Sequence, residues 1–390
     1  MACAIALASK AQWTVLNTGV TYSLYTVYFT DANTGWAGGD GGTLIKTVNG
    51  GATWTVQPTG TLERISSIYF LNANKGFAVG SSGTILATLD GGSTWASQAS
   101  GVLWGLSKVQ FTDAMNGCIV GDASTVFHTT DGGSSWSQVQ GGMGVYLEGL
   151  DFATNSVGFA VGEIGVVLKT TNGGASWATV PMGMGTHFQD IHFTDPNTGY
   201  LIGRTDTLFR TTDGGNSWDF VPTGAPPGHS LIALTFTSPS TGFIVGNGGV
   251  VLHTTDAGAT WEPLANPMSN TNVSFFSLSF PTANTGYIAG QYGQVIKTDN
   301  GGTIGIEQQE RMAPLQLFPN PVAAGHAVTL LHEAFGPVLV QVRDMRGSLV
   351  LKTRLRSGER TLGTGGFPEG AYVVEVRSEQ GVRQQQLIVY

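Results

Sequence analysis

The sequence predicts an all-β protein: a seven-bladed β-propeller, whose last blade is closed by the N-terminal strand, followed by a small C-terminal β-sandwich. Two repeated patterns predict the propeller. Tryptophans recur every 41 residues, with 43 at the final step: Trp54, Trp95, Trp136, Trp177, Trp218 and Trp261. A second phrase, typified by Phe-Thr-Asp-x-x-x-Gly, recurs around seven glycines: Gly35, Gly76, Gly117, Gly158, Gly199, Gly242 and Gly286. Periods near 40 residues are typical of repeat architectures.

Each repeat predicts four short strands. In the second repeat these are residues 65–70, 76–79, 84–88 and 94–98, separated by turns rich in Gly, Asn and Asp. Short strands between such turns indicate antiparallel hairpins. Seven four-stranded sheets arranged radially form a propeller, which leaves only short, protected sheet edges.

The seventh repeat predicts how the ring closes. It contains no tryptophan after its turn, where Gly305 stands instead. The missing strand is found near the N-terminus, because Trp13-Thr14-Val15 matches Trp54-Thr55-Val56. We therefore expect the N-terminal segment to supply the outer strand of the last blade.

The turn before each tryptophan carries a repeated Asn or Asp. Its side chain can accept hydrogen bonds from nearby backbone N–H groups, while the tryptophan enters the core between sheets. We predict purely structural roles for these positions: Asn49, Trp54, Asp90, Trp95, Asp131, Trp136, Asn172, Trp177, Asp213, Trp218, Asp256 and Trp261.

Composition and charge exclude several classes of function. Residues 1–305 contain 9 Lys and Arg against 18 Asp and Glu, so nucleic acid is an unsuitable partner. No apolar run reaches the roughly 18–20 residues that span a bilayer. Cys3 and Cys118 cannot form a disulfide framework or metal cluster, and the histidines show no ligand spacing. We expect no metal, no cofactor and a monomer.

The chain divides into four predicted parts. Residues 1–11 are interpreted as the remnant of a signal peptide, since a short apolar stretch precedes small residues at Ser9 and Ala11. The propeller is assigned to residues 12–303. Residues 304–314 are polar and aperiodic and are interpreted as a linker, and residues 315–390 form a separate β-rich domain.

The propeller phrases are similar to the Asp-box, or BNR repeat, of sialidase-like propellers. With Gly-Phe-Ala-Val-Gly before it and Asp-Gly-Gly-x-Thr-Trp within it, the repeat most resembles the photosystem II assembly-factor propellers. The photosynthetic members hold a client protein on an arginine-rich patch. That resemblance implies a propeller over residues 13–303 and a role in assembly as one alternative function.

The C-terminal part resembles the type A sorting domain of the type IX secretion system. The resemblance lies in Leu317-Phe318-Pro319-Asn320-Pro321, in residues 340–347 and in residues 368–374. It implies a small β-sandwich that is read by the export machinery. The expected partner of residues 315–390 is therefore the type IX machinery, and the expected location is the cell exterior or the outer-membrane surface.

No convergent catalytic set is visible in the repeats. The loop carboxylates are Asp40, Asp122, Glu148, Glu163 and Asp206, of which Glu148 and Glu163 are the least repeat-like. A glycoside hydrolase or lyase acting through such a pair is one alternative, since glycosidases need two carboxyl groups. A structural surface-layer component is another. We predict a non-enzyme.

Variation between repeats predicts a binding surface. The leading loops, which join each outer strand to the next inner strand, share one face with the inner turns between second and third strands. We predict that these carry residues recognising an unknown protein or glycan: Tyr22, Arg64, Trp104, Tyr146, Glu163, His187, Arg204, His229 and Tyr292. The sequence thus predicts an exported, non-catalytic binding or scaffold propeller.

Overall fold

The structure is a computed structural model that describes residues 13–140, 144–183, 185–225, 228–269, 271–302, 315–331, 338–356, 360–378 and 381–390. The chain separates into two compact units, residues 1–303 and 304–390. The predicted signal segment at residues 1–11 and the predicted linker at 304–314 lie outside the described residues.

The first unit contains seven four-stranded antiparallel sheets, or blades. The inner strands are β2 (Leu24–Phe29), β6 (Ile65–Phe70), β10 (Leu106–Phe111), β14 (Leu147–Phe152), β18 (Phe188–Phe193), β22 (Leu231–Phe236) and β26 (Phe275–Ser279). The second strands are β3 (Gly35–Gly39), β7 (Gly76–Gly80), β11 (Gly117–Gly121), β15 (Gly158–Gly162), β19 (Gly199–Gly203), β23 (Gly242–Gly246) and β27 (Gly286–Gly290).

The third strands are β4 (Leu44–Thr47), β8 (Ile85–Thr88), β12 (Val126–Thr129), β16 (Val167–Thr170), β20 (Thr207–Thr211), β24 (Val251–Thr254) and β28 (Val295–Thr298). The outer strands are β1 (Thr14–Leu16), β5 (Thr55–Val56), β9 (Ala96–Gln98), β13 (Ser137–Gln140), β17 (Ala178–Val180), β21 (Asp219–Phe220) and β25 (Glu262–Pro263). Six inner turns are single 3-10 turns: Asp40–Gly42, Ser81–Gly83, Asp122–Ser124, Glu163–Gly165, Asn247–Gly249 and Gln291–Gly293.

The N-terminal strand closes the ring, which confirms the prediction. Strand β1 pairs with β28 in antiparallel register, with Thr14 opposite Lys297. Trp13 is fully buried and meets Phe280 edge-on at a centroid distance of 6.3 Å. Trp54 meets Phe29 in the same way at 6.1 Å in the first blade. The N-terminal tryptophan therefore occupies the repeat position that is missing after β28.

Aromatic stacking joins neighbouring blades. A buried aromatic residue on the second strand of one blade stacks on the phenylalanine that ends the inner strand of the next. Trp36 lies 3.8 Å from Phe70 between ring centroids, and Tyr287 lies 3.6 Å from Phe29 where the last blade meets the first. Such pairs add to the burial energy of large rings. Cys118, a buried thiol, holds this position in the third blade.

Polar side chains cover the free edges of the inner strands. The Val27 and Phe29 N–H groups donate to Ser277 and Ser279 hydroxyls of the preceding blade, each at 3.1 Å. Elsewhere the Leu234 N–H donates to Asp190 Oδ2 at 3.2 Å. Because an unpaired buried N–H is costly, these bonds satisfy strand-edge groups that have no partner within their own sheet.

The second unit is a two-sheet sandwich, as predicted. One sheet orders β29 (Gln316–Phe318), β30 (Ala327–Leu331) and β33 (Thr361–Gly363). The other orders β32 (Leu349–Leu355), β31 (Val338–Asp344), β34 (Gly370–Ser378) and β35 (Gly381–Val389). A core that includes Leu330, Val340 and Val374 lies between them. The three-residue strands β29 and β33 were not predicted, because each is short and has only one buried apolar side chain.

Candidate functional site

The two ends of the blades differ in how they use side chains. We call the end formed by the inner turns and leading loops the upper face, and the end with the Asn/Asp turns the lower face. On the lower face every blade repeats one set of bonds. In the second blade, the Thr88 hydroxyl donates to Asp90 Oδ1 at 2.8 Å, and the Gly92 N–H donates to Thr88 Oγ1 at 2.9 Å. These turns are small closed networks.

Hydrogen bonds within these turns hold their carboxylates ionised. The Thr94 hydroxyl and N–H both donate to the Asp90 side chain, and the pKa of Asp90 is lowered to about 2 for this reason. The same bonds lower the pKa of Asp213 and Asp256 to about 2, and that of Asp131 further. In Asn49 an amide replaces the acid and donates from Nδ2 to Thr53 Oγ1 at 2.9 Å.

The tryptophans after these turns are buried to different degrees. Trp177 and Trp261 are 9% and 5% exposed. Trp54, Trp95, Trp136 and Trp218 are half-buried at the edge of the sheets.

On the upper face one backbone bond recurs in every blade. The first residue of the inner turn donates its N–H to the residue just before the inner strand, as Glu163 does to Tyr146 O at 3.0 Å. Arg204 donates to His187 O in the same way, also at 3.0 Å. The backbone therefore sets each such pair side by side, and the side chains vary from blade to blade.

The cluster of interest is formed by Glu148, Glu163 and His187. Glu148 is the second residue of β14, Glu163 begins the inner turn of that blade, and His187 precedes β18 of the next. His187 Nε2 lies 3.8 Å from Glu148 Oε1, and His187 Nδ1 lies 3.7 Å from Glu163 Oε1. One imidazole thus stands between two carboxylates, at distances longer than hydrogen bonds.

Burial and neighbouring charges set the ionisation of this cluster. Burial raises the pKa of Glu148, and the carboxylates of Asp122 and Glu163 raise it further. Burial also raises the pKa of Asp122, whose Oδ2 accepts the Gly105 N–H at 3.0 Å. The pKa of His187 is lowered by burial and by Arg204, so the imidazole is neutral at pH 7.

Two arginines lie beside the cluster without pairing to it. The Arg64 guanidinium lies over the Tyr25 ring, 4.8 Å from its centroid, and its charge acts on Glu148 and Asp122. Arg204 acts on Glu148 and His187. Both arginine side chains are exposed. Within the described ranges, neither Glu148 nor Glu163 has a Lys or Arg nitrogen within 4.0 Å.

Exposed aromatic side chains stand around the same face. Trp104 is 43% exposed, and its Nε1 donates to Thr125 Oγ1 at 2.6 Å, which fixes the ring. Tyr146 is exposed next to Glu163. Tyr22, His229 and Tyr292 stand on the first, sixth and seventh blades, outside the charged cluster. Of the nine sequence-predicted residues, the structure thus groups Arg64, Tyr146, Glu163, His187 and Arg204.

A channel of about 530 Å³ runs along the inner strands below this cluster. Its lining includes Arg64 and Glu148, and deeper polar groups are paired across it. Lys108 Nζ lies 3.1 Å from Asp190 Oδ1, and Gln110 Nε2 donates to Asp151 Oδ1 at 2.8 Å. Among the residues that the structure describes, no group of three or more His, Cys, Asp or Glu is arranged to hold a metal ion.

Two features of the channel and the upper face were not predicted from the sequence. The first is the Lys108–Asp190 pair, because the two residues are 82 positions apart and meet across the channel. The second is Ile164, a 68% exposed β-branched residue at φ 57°. Its position in the inner turn, where two other repeats have Gly41 and Gly248, was the signal available in the sequence.

A family model matches the first unit of the chain. The family model described as photosynthesis system II assembly factor YCF48 matches residues 5–97, 58–140, 104–185, 177–223 and 221–312. The chain belongs to this family. The model of a secretion system C-terminal sorting domain matches residues 316–390, which indicates export to the cell surface or secretion. Both resemblances noted in the sequence are confirmed.

Solved structures support the fold. A structure described as YCF48 bound to D1 peptide is 20% identical, has a TM-score of 0.64, and covers 75% of this chain and 98% of its own. YCF48 from Cyanidioschyzon merolae is 18% identical with a TM-score of 0.63, covering 74% and 99%. The WD40 propeller of Doa1 is 11% identical with a TM-score of 0.59, covering 73% and 94%. At such identities the likeness is one of fold.

No curated protein matches the sequence. No helix long and apolar enough to cross a bilayer occurs among the described residues.

Proposed function

We propose that this protein is an exported, non-catalytic binding propeller that recognises a segment of another protein on its upper face. The proposal depends on one observation about that face. The same backbone hydrogen bond recurs in every blade, but the side chains at the bonded positions differ from blade to blade. Fixed aromatic rings such as Trp104 give large contact area at little entropic cost. The sorting domain supports delivery of this surface to the cell exterior.

A protein segment is favoured over a glycan by one relative. The YCF48 structure described above is bound to a peptide, and it shares the fold along 98% of its own length. The low identity means that the ligand itself does not transfer. An assembly role like that of the photosynthetic relatives is compatible with this proposal, because assembly factors act by holding client segments.

An enzymatic role is the second candidate, because one carboxyl group of a close pair has a raised pKa. Glu148 and Glu163 both approach His187, and burial raises the pKa of Glu148. In glycosidases the scissile bond lies between the two carboxyl groups. Here the imidazole of His187 fills that space, which argues against hydrolysis. Hydrolysis of a polysaccharide panel that disappears in Glu148→Gln would reverse this conclusion.

Display of random peptides and a glycan array, both probed with the full chain, test the proposal. We expect peptides to be enriched, and we expect the enrichment to be lost in the double variant Trp104→Ala, Tyr146→Ala. Val56→Ala, an exposed change on the outer strand β5, is the matched control. Enrichment of glycans alone, or peptide binding that survives the double substitution, would contradict the proposal.

A further inference from the structure

Charged groups on the upper face differ in how well they are solvated. The side chains of Glu148 and Glu163 are 36% and 27% exposed, and the nearby imidazole is neutral at pH 7. A carboxylate that is partly removed from water and has no cation in direct contact keeps an unfavourable desolvation energy. A cation brought to this position would reduce that energy.

The arginines of the same face, in contrast to these carboxylates, are well exposed to solvent. Arg64 and Arg204 are exposed, so water solvates their guanidinium groups. An exposed charge gains little from a new partner, since the attraction is screened. Between an anionic and a cationic ligand, the cationic one therefore gains more at this site.

The total charge of the upper face also favours a cationic ligand. Carboxylates on or beside its turns number six, against two arginines: Asp40, Glu63, Asp122, Glu148, Glu163 and Asp206, with Arg64 and Arg204. Such a surface attracts positively charged partners before contact.

The space around the cluster fits an extended chain bearing a long side chain. Glu148 lines the channel of about 530 Å³, so a lysine or arginine side chain entering from above would reach its carboxylate. Trp104, Tyr146 and Ile164 are exposed on the neighbouring turns and offer apolar area to the rest of the ligand. A partly buried charge surrounded by apolar contact area is typical of recognition sites.

We infer that the ligand is an extended peptide that places a lysine or arginine side chain at the channel mouth, against Glu148 and Glu163. This inference rests on the proposed function and specifies its ligand. Such a site prefers cationic segments, whereas an arginine-rich surface prefers anionic ones.

Three labelled peptides of equal length test the inference by fluorescence anisotropy with the full chain. Each alternates Gly-Ser with one repeated residue: lysine, glutamine or glutamate. We expect the lysine peptide to bind most tightly and the glutamate peptide not to bind. The double variant Glu148→Gln, Glu163→Gln should weaken lysine-peptide binding roughly tenfold, the order expected for removing a partly buried charge partner.

One further substitution distinguishes a cationic ligand from an anionic one, by whether it strengthens or weakens binding. Arg204→Gln removes a cation from the site, so it should tighten binding of the lysine peptide. Glu262→Gln, on the outer strand β25, changes charge outside the face and should leave binding unchanged. Thermal unfolding of each variant checks that the fold is retained.

Preference for the glutamate peptide, or weaker lysine-peptide binding in Arg204→Gln, would overturn the inference while leaving peptide recognition intact. Binding of none of the three peptides would also overturn it. The random-peptide display then decides the proposed function separately.

Discussion

The lower and upper faces of the propeller use the same backbone in different ways. On the lower face, residue type and hydrogen bond repeat together: the hydroxyls of Thr88 and Thr298 make the same bonds, 210 positions apart in sequence. On the upper face the backbone bond repeats, but the side chains it presents do not. A side chain that repeats in every blade marks a position that the fold requires. Where only the backbone bond repeats, the fold leaves the residue type unconstrained.

The largest effect should come from opening the ring. Trp13→Ala removes a fully buried ring from the last blade, and we expect it to lower the free energy of unfolding by about 5 kcal/mol, the upper end for a buried tryptophan. Urea unfolding measures the change. Val15→Ala, half-exposed on the same strand, should cost less than about 1 kcal/mol. Equal losses in the two variants would show that β1 does not close the ring.

A pair of tryptophans tests the two faces directly. Trp261 is buried below a lower-face turn and packs edge-on against Phe236, so Trp261→Ala should cost about 3 kcal/mol. Trp104 is 43% exposed on the upper face, and Trp104→Ala should cost only about 1 kcal/mol, mainly for its hydrogen bond. Comparable destabilisation by both would mean that the upper face is as structural as the lower.

Acid should destabilise the lower face selectively. The pKa of Asp90, Asp213 and Asp256 is lowered to about 2 in the folded state, against about 3.9 when unfolded. Their ionised form therefore adds stability above about pH 4, and this contribution is lost as the pH falls towards 2.

Replacing these three residues and Asp131 by asparagine tests this expectation, because Asn49 and Asn172 already support the same turn. The melting temperature of the variant should fall less than that of the wild type between about pH 4 and 2. Parallel curves would show that acid acts elsewhere.

The smallest effect concerns strain on the upper face. Ile164 has φ 57°, a conformation that glycine adopts without steric cost. Ile164→Gly should raise the free energy of unfolding by less than about 1 kcal/mol, since relieved strain exceeds the added chain entropy. It should also weaken ligand binding. Leu62→Gly, an exposed change without a positive φ, should destabilise instead.

The sequence predicted the fold better than the site, for a physical reason. Trp13 and Gly286 could be placed because each repeats a pattern that local chemistry demands. The meeting of Glu148, Glu163 and His187 depends on how far one blade turns against the next, which no local pattern encodes. Individual site residues could be predicted because they differ from the residues at equivalent positions in the other repeats. Which of them lie together is visible only in the folded ring, where neighbouring blades meet.

The pairing of Thr14 with Lys297 also determines when the last blade can form during synthesis. Strand β1 leaves the ribosome before the other strands, yet its partner β28 follows some 280 residues later. At roughly 5–20 residues per second, the nascent chain waits on the order of 15–60 s before the last blade can be completed. Until then the first strand has no partner in its blade, and its length of only three residues limits mispairing.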